Sequence, residues 1–340
     1  MTIPYIFLQP DNRFIGTNTL PVASNTISMS QINAELGLSS TASISLNDTA
    51  VRNLLGKPTN VSSISMSDGW GKTRTYNVDY MIIGGGGGGG TASDRSGGGG
   101  GAGGVIAGNT AVTPGTGYSM TIGGGGSTSA NGGNTIFFGL TAIGGGGGGG
   151  GSNGDDGNNG GSGGGAYHRN VNPTSVPGNG TAGQGNAGGS GYDGGSGGPW
   201  FAGGGGGLSA VGGNATAAKP GNGGTGYTWY DGAIYSGGGG GGGQANSGTV
   251  GAGAGFTSNG TFYGGGNGAR SNSSTNGGNA TYWGCGGGGG ASGGNGGNGF
   301  SGIVAVRYAG SQVATGGDSI IASGGYTWHF FWTNGSTFTA

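Results

Sequence analysis

Few side chains in this sequence are equipped for acid–base, nucleophilic or metal chemistry, and they are scattered. His168 and His329 are the only histidines, Glu35 is the only glutamate and Cys285 the only cysteine. A structural zinc needs about four His, Cys or carboxylate ligands, and glycoside hydrolysis needs a facing pair of carboxylates. The spacing offers neither. A single cysteine excludes an intrachain disulfide framework and an all-cysteine metal site. Asp155-Asp156 has the chemistry of a cation site, although a solvated acidic loop is the simpler reading. Gly188-Gly189-Ser190-Gly191-Tyr192-Asp193 begins like a calcium-binding nonapeptide, then has Gly195 where an apolar residue belongs, and it does not repeat. Gly71-Lys72-Thr73 ends like a phosphate-binding loop, but Met66 stands where the first glycine is required. The GxGxxG spacings are incidental to long glycine runs, with no helix after them to hold a pyrophosphate. The chain reads as a non-enzyme without metal or cofactor.

The elements around these residues are dominated by glycine: 103 of 340 residues, in blocks such as 84–90, 144–151, 203–207, 237–243 and 286–290. Aperiodic glycine-rich chains are usually disordered. Three features oppose that here. Charged residues are only 6%, aromatics reach 9%, and the apolar residues form short strand-like groups such as Tyr118–Ile122 and Gly302–Tyr308. Collagen needs glycine at every third residue with abundant proline, whereas here glycines are consecutive and prolines number nine. A net charge of −1 leaves no electrostatic footprint for nucleic acid or an anionic membrane. The first ten residues suggest neither a signal peptide nor a membrane span.

Ordering polyglycine is expensive. Fixing a backbone costs roughly 1–2 kcal/mol per residue, with glycine at the upper end. A net hydrogen bond contributes about 0.5–1.5 kcal/mol, and a Cα–H···O contact about 0.5–1 kcal/mol. Each glycine must therefore use its N–H, its C=O and its Cα hydrogens together. Packed threefold helices of the polyproline-II type allow this, since only glycine permits close approach from every side. The fold class expected is mostly irregular and β. It comprises a small N-terminal helical module, a body of packed polyglycine-II helices flanked by short strands, and a C-terminal β-hairpin.

Residues 1–75 carry the helical signals. Ser30–Gly37 and Asn47–Gly56 each have a polar start, spaced apolar residues and a terminating glycine. Residues 76–308 form the glycine-rich body, opening with strand Val78–Ile83 and closing with Gly302–Tyr308. Residues 309–340 regain ordinary composition, and Tyr326–Trp332 with Ser336–Phe338 reads as a hairpin around Thr333-Asn334-Gly335.

The opening Asn77–Gly90, the segments Gly97–Val105, Tyr118–Gly123 and Phe138–Gly144, the exit Gly299–Tyr308 and the tail Ala314–Thr339 resemble the glycine-rich domain of bacteriophage tail and tail-fibre proteins. Ile27–Ile32 and Ile64–Asp68 are similar to a short helical module of phage tail structural proteins. The resemblance implies a virion component of tail, fibre or baseplate, acting in host attachment. Its partners would be other phage tail or fibre proteins and a bacterial surface receptor, protein or glycan, with no nucleic acid and no membrane insertion. Ile32, Leu36, Val51, Leu54, Leu55 and Trp70 are the candidates for docking to the virion. Receptor candidates lie in the loops between glycine blocks: Tyr167, His168, Arg169, Tyr192 and Trp200; then Tyr227, Trp229 and Tyr230; then Phe262 and Tyr263; then Arg270, Tyr282 and Trp283. Rigid aromatics beside Ser, Asn and Gly suit a paratope-like surface, and equally suit a rim covering the glycine scaffold. A purely structural baseplate or fibre subunit is the alternative reading; an ice-binding protein is a remote one.

Overall fold

The computed structural model describes residues 7–8, 14–15, 29–39, 41–45, 48–55, 75–93, 95–151, 156–168, 175–244, 264–269 and 273–340. In chain order the elements are β1 (Phe7–Leu8), β2 (Phe14–Ile15), α1 (Met29–Glu35), α2 (Thr49–Leu54), β3 (Tyr76–Ile83), β4 (Val105–Val112), β5 (Gly117–Ser119), β6 (Thr135–Phe137) and β7 (Leu140–Ala142). Then come β8 (Tyr192–Asp193), β9 (Trp200–Phe201), β10 (Tyr227–Thr228), β11 (Ile234–Tyr235), β12 (Gly243–Gln244), β13 (Ile303–Ala309), β14 (Ser319–Ser323), β15 (Tyr326–Phe331) and β16 (Thr337–Thr339). Among the described residues the protein is mostly strand and irregular backbone with two short helices, as its composition predicts. Helix α1 closes through Gly37, whose φ of 68° lies in the left-handed region that favours glycine. Around it the Leu38 N–H bonds Asn33 O and the Gly37 N–H bonds Ala34 O, a Schellman cap. The apolar faces of α1 and α2 meet in a small cluster of Ile32, Val51 and Leu55, with Leu36 and Leu54 packed against it.

The glycine blocks are the core of the body, and their hydrogen bonds advance in steps of three. Along 84–90, Gly84, Gly87 and Gly90 donate to Gly104, Gly101 and Gly98. Gly85 and Gly88 donate to Gly133 and Ala130, and Gly86 and Gly89 donate to Phe300 and Gly297, all at 2.8–3.0 Å. Each third residue thus faces one neighbouring segment, as a helix of three residues per turn requires. The carbonyls do the same in other directions. Gly85 and Gly88 accept from Gly145 and Gly148, Gly87 and Gly90 from Gly287 and Gly290, and Gly86 and Gly89 from Gly126 and Ser129. The run is surrounded on all sides and bonded to every neighbour.

Segment 97–104 is enclosed in the same way, donating to 284–290, to 143–149 and to 203–206, and accepting from 84–90, 162–165 and 239–242. The Cα hydrogens fill the remaining directions. A Cβ on Gly86 or Gly89 would collide with the carbonyl of Cys285 or Gly288, and one on Gly87 or Gly90 with that of Gly146 or Gly149. A hydrogen in each of those positions makes a Cα–H···O contact.

At the margin of the lattice, where no further glycine segment lies alongside, asparagine side chains replace a neighbour's carbonyl. Asn131 Oδ1 and Asn134 Oδ1 accept from the N–H groups of Gly147 and Gly144 at 2.9 Å. Asn276 and Asn279 likewise accept from Asn295 and Asn298 at 2.9 and 2.8 Å. The stride is again three, which explains the Asn-Gly-Gly-Asn phrases at 131–134 and 276–279; the third such phrase, at 295–298, supplies the backbone N–H groups that Asn276 and Asn279 accept.

A five-stranded antiparallel sheet in the order β14-β15-β13-β3-β4 closes one end of the bundle. Side chains alternate along its central strands. Val78, Ile82, Val304, Val306 and Phe331 face a cluster completed by Met120, Ile122, Phe137 and Phe338. Met81, Ile83, Ile303, Ala305 and Trp328 face a second cluster that includes Trp229 and Tyr235. The C-terminal hairpin is formed by β14 and β15, joined by Gly324 and Gly325 with φ of 61° and 80° in the left-handed turn such a two-residue loop needs. The expected pairing of 326–332 with 336–338 does not occur: β16 pairs with β5 instead. Asn334 Oδ1 accepts the Ile122 N–H at 3.0 Å, so the turn is anchored across the body rather than folded back on β15.

His329 is fully buried between β13 and the turn before β14. Its Nδ1 lies 2.6 Å from Gly316 O, an acceptor only, so Nδ1 carries the proton and Nε2 accepts from the Tyr308 hydroxyl at 3.0 Å. Tyr308 Oη in turn accepts the N–H groups of Val313 and Ala314. Burial keeps the imidazole neutral and lowers its pKa from 6.5. Below that pH the unfolded chain binds the proton that the native chain refuses, so the stability this group permits is complete above pH 6.5 and declines as pH falls beneath it. Urea unfolding between about pH 7.5 and about pH 5 should show this decline, and His329→Gln should flatten it. In the glycine lattice, Gly87→Ala should cost about 3 kcal/mol or prevent folding. Gly124→Ala, where a Cβ meets nothing within 4 Å, should stay within about 1 kcal/mol of the parent. Equal losses for the two would contradict the packing described.

Candidate binding surface

The lattice has two ends, and hydrogen bonding marks their levels. Gly84 bonds Gly104 and Gly104 bonds Ile143 at the sheet end. At the opposite end Gly90 bonds Gly98, Gly98 bonds Gly149 and Gly149 bonds Gly165. From this second level leave the connections after Gly90, Gly149 and Gly165. The three-stranded sheet β12-β9-β8 belongs there too, since Gly242 bonds Gly97 and Ala202 bonds Gly242.

The candidate aromatics divide between these ends. At the loop end, Tyr167 and His168 are buried with rings 4.8 Å apart. His168 lies edge-on to Trp200 at 6.2 Å. Trp200 is half-buried, and the Arg95 guanidinium sits 3.9 Å from its ring centre. Tyr192 is half-buried and stands opposite Phe201. Arg169, Phe262, Tyr263, Arg270 and Trp70 lie outside the described residues, as does Asp155.

Tyr227, Trp229, Tyr230, Tyr282 and Trp283 gather at the sheet end. The β10–β11 hairpin lays Trp229 on Trp328, edge to face at 5.4 Å, and buries it to 4% exposure. Tyr235 packs on Tyr282 at 5.4 Å and donates its hydroxyl proton to Asp231 Oδ2 at 2.6 Å. Burial, then that bond to a carboxylate, pushes the Tyr235 hydroxyl far above its ordinary pKa of 10.0. Burial also raises Tyr227. Trp283 stacks on Trp332 at 5.6 Å and meets Phe300 edge-on. These rings complete the sheet's second core. Only Tyr230 is strongly exposed, at 62%, and its ring covers the Arg307 guanidinium at 3.4 Å.

Arg307 was not singled out from sequence. It is held by Asp79 Oδ2 at 2.9 Å and flanked by Tyr326 at 4.4 Å and Trp328 at 5.1 Å. Its place in an apolar strand, Ile-Val-Ala-Val-Arg-Tyr-Ala, was the available signal: a lone cation there needs a partner. Among the described residues, no three His, Cys, Asp or Glu side chains gather to hold a metal ion, and no helix is long and apolar enough to cross a membrane.

An interior made of backbone, closed by one sheet and carrying its side-chain variety in loops, defines a glycine-scaffold protein. The chain belongs to the glycine-rich domain family, whose model matches residues 67–309. No curated protein and no solved structure matches it.

Removing the Arg307 guanidinium should release the hairpin above it. A cation–π contact of about 1–2 kcal/mol implies that Arg307→Ala speeds amide exchange at Trp229 and Gly232 by about tenfold. Those amides bond Ala233 O and Trp229 O. Unchanged exchange would mean the hairpin is held by Trp229 alone.

Proposed function

We propose that this protein is a structural component of a bacteriophage tail or tail fibre and mediates attachment to the host cell through loops on the rigid glycine scaffold. The observation that carries the reading is the asymmetry of the bundle. Strands β3 and β13 enter and leave the lattice at the sheet end, so the residues before Tyr76 and after Ala309 join the body there. The loop end lies away from these junctions and, among the described residues, bears Tyr192, Trp200 and Arg95 in half-buried positions. Attachment to other virion proteins belongs with the N-terminal module, and contact with a bacterial surface protein or glycan belongs with the loop end. A scaffold bonded to its neighbours in every direction holds such loops with little ordering entropy left to lose on binding. The sheet-end aromatics other than the exposed Tyr230 are assigned to the core.

The test is binding of the fluorescently labelled chain to a panel of bacterial strains, competed with unlabelled protein. Saturable binding to a subset is expected. Trp200→Ala and Tyr192→Ala should each weaken it by about tenfold or more, while Tyr230→Ala changes it by less than about twofold. Absence of binding from a folded sample would favour a non-adhesive structural subunit.

A further inference from the structure

The five-stranded sheet ends at β14, whose outer edge pairs with no strand among the described residues. Edge strands are normally protected by lysine, proline or a bulge. Strand β14 has none of these. Its sequence is Ser-Ile-Ile-Ala-Ser, without charge or proline, and it runs in unbroken one-to-one register with β15 from Ser319↔Phe330 to Ser323↔Tyr326.

Ile320 and Ile321 are adjacent, so they point to opposite faces of the sheet. Both are exposed, at 39% and 48%. The edge thus presents aliphatic side chains on both faces beside an unpaired row of backbone groups, which is a template for another strand. The segment also reads nearly the same in either direction about Ile321: Ser319 matches Ser323, and Ile320 matches Ala322. An antiparallel copy would set Ile321 against itself and each Ile320 against an Ala322. That is the self-complementarity an isologous contact requires, and an unrelated partner would not call for it.

We propose that β14 pairs antiparallel with β14 of a second copy of this chain, about a twofold axis at Ile321, merging two sheets into one. The contact is made of backbone bonds and aliphatic side chains. It is therefore insensitive to salt, because no charge contributes to it. It does not depend on the adhesion reading, since the loop end plays no part in it.

Sedimentation velocity of the full chain from about 1 to about 200 µM should show a reversible monomer–dimer equilibrium, the weak association expected of a small interface. Ile321→Lys sets like charges opposite each other and should lower the dimer fraction at about 100 µM at least tenfold, at an unchanged melting temperature because the site is exposed. Ile321→Cys should form a covalent dimer under mild oxidation, since facing residues in an antiparallel pair lie about 4.5–5.5 Å apart at Cα. Val211→Cys, at a more exposed loop position, should not. The native Cys285 thiol is buried and pushed up to about 11, so the parent chain serves as the blank. A parent that stays monomeric throughout, a dimer that survives Ile321→Lys, or a dimer whose I321C form does not cross-link would each overturn the proposal.

Discussion

A backbone amide directed sideways from a threefold helix can be satisfied only by a neighbour near enough to touch, and that nearness leaves no room for a Cβ. This one requirement organises the body. It demands glycine at nearly every position of an enclosed segment, as at 84–90 and, Ala102 excepted, at 97–104, and releases the demand wherever a segment reaches the margin. There asparagine supplies the missing acceptor from its own side chain. The strands, clusters and loops are arranged around an interior that contains almost no side chains. Its cohesion resides in polar bonding and Cα–H contacts rather than in apolar burial.

The sheet solves the complementary problem. A bundle of glycine helices must stop somewhere, and its last residues need partners. Strands β3 and β13 continue directly from glycine segments and carry the chain into ordinary packing, with one apolar cluster on each face. Two polar side chains within the sheet show how it accommodates them. His329 is held between a carbonyl and a tyrosine hydroxyl, and Arg307 between a carboxylate and aromatic faces. In each case the buried group is matched to a partner of the right donor or acceptor type, which permits it to be there at all.

Much of this was legible in the residues. Consecutive glycines with few charges pointed to packed threefold helices, and the alternating strands Val78–Ile83 and Gly302–Tyr308 pointed to the sheet. The order of the helices in the bundle was not legible, because glycine carries no side-chain code for its neighbours. The position of the hairpin is ambiguous in sequence for a definable reason: Gly324-Gly325 and Asn334-Gly335 are both strong turn signals, and tertiary contacts, the pairing of β16 with β5 and the bond from Ile122 to Asn334, separate them. The loop aromatics looked alike in sequence. Their division into a set over the sheet, covered except for Tyr230, and a set at the other end, with Tyr167 and His168 buried and Tyr192 and Trp200 half-buried, follows from which glycine segment precedes each loop. The repeated Asn-Gly-Gly-Asn phrase was the one lattice signal present in plain view, since a step of three marks one side of a threefold helix.

That step of three acts on the chain as a reading frame. One residue inserted into an enclosed glycine segment would rotate everything after it by about 120°, turning each amide toward the wrong neighbour, whereas an insertion in a connection such as 194–199, between β8 and β9, leaves the frame untouched. Change of length is thus forbidden in the scaffold and free in the loops. A lineage of such proteins could remodel its outer surface by insertion and deletion while its interior stayed constant to the residue.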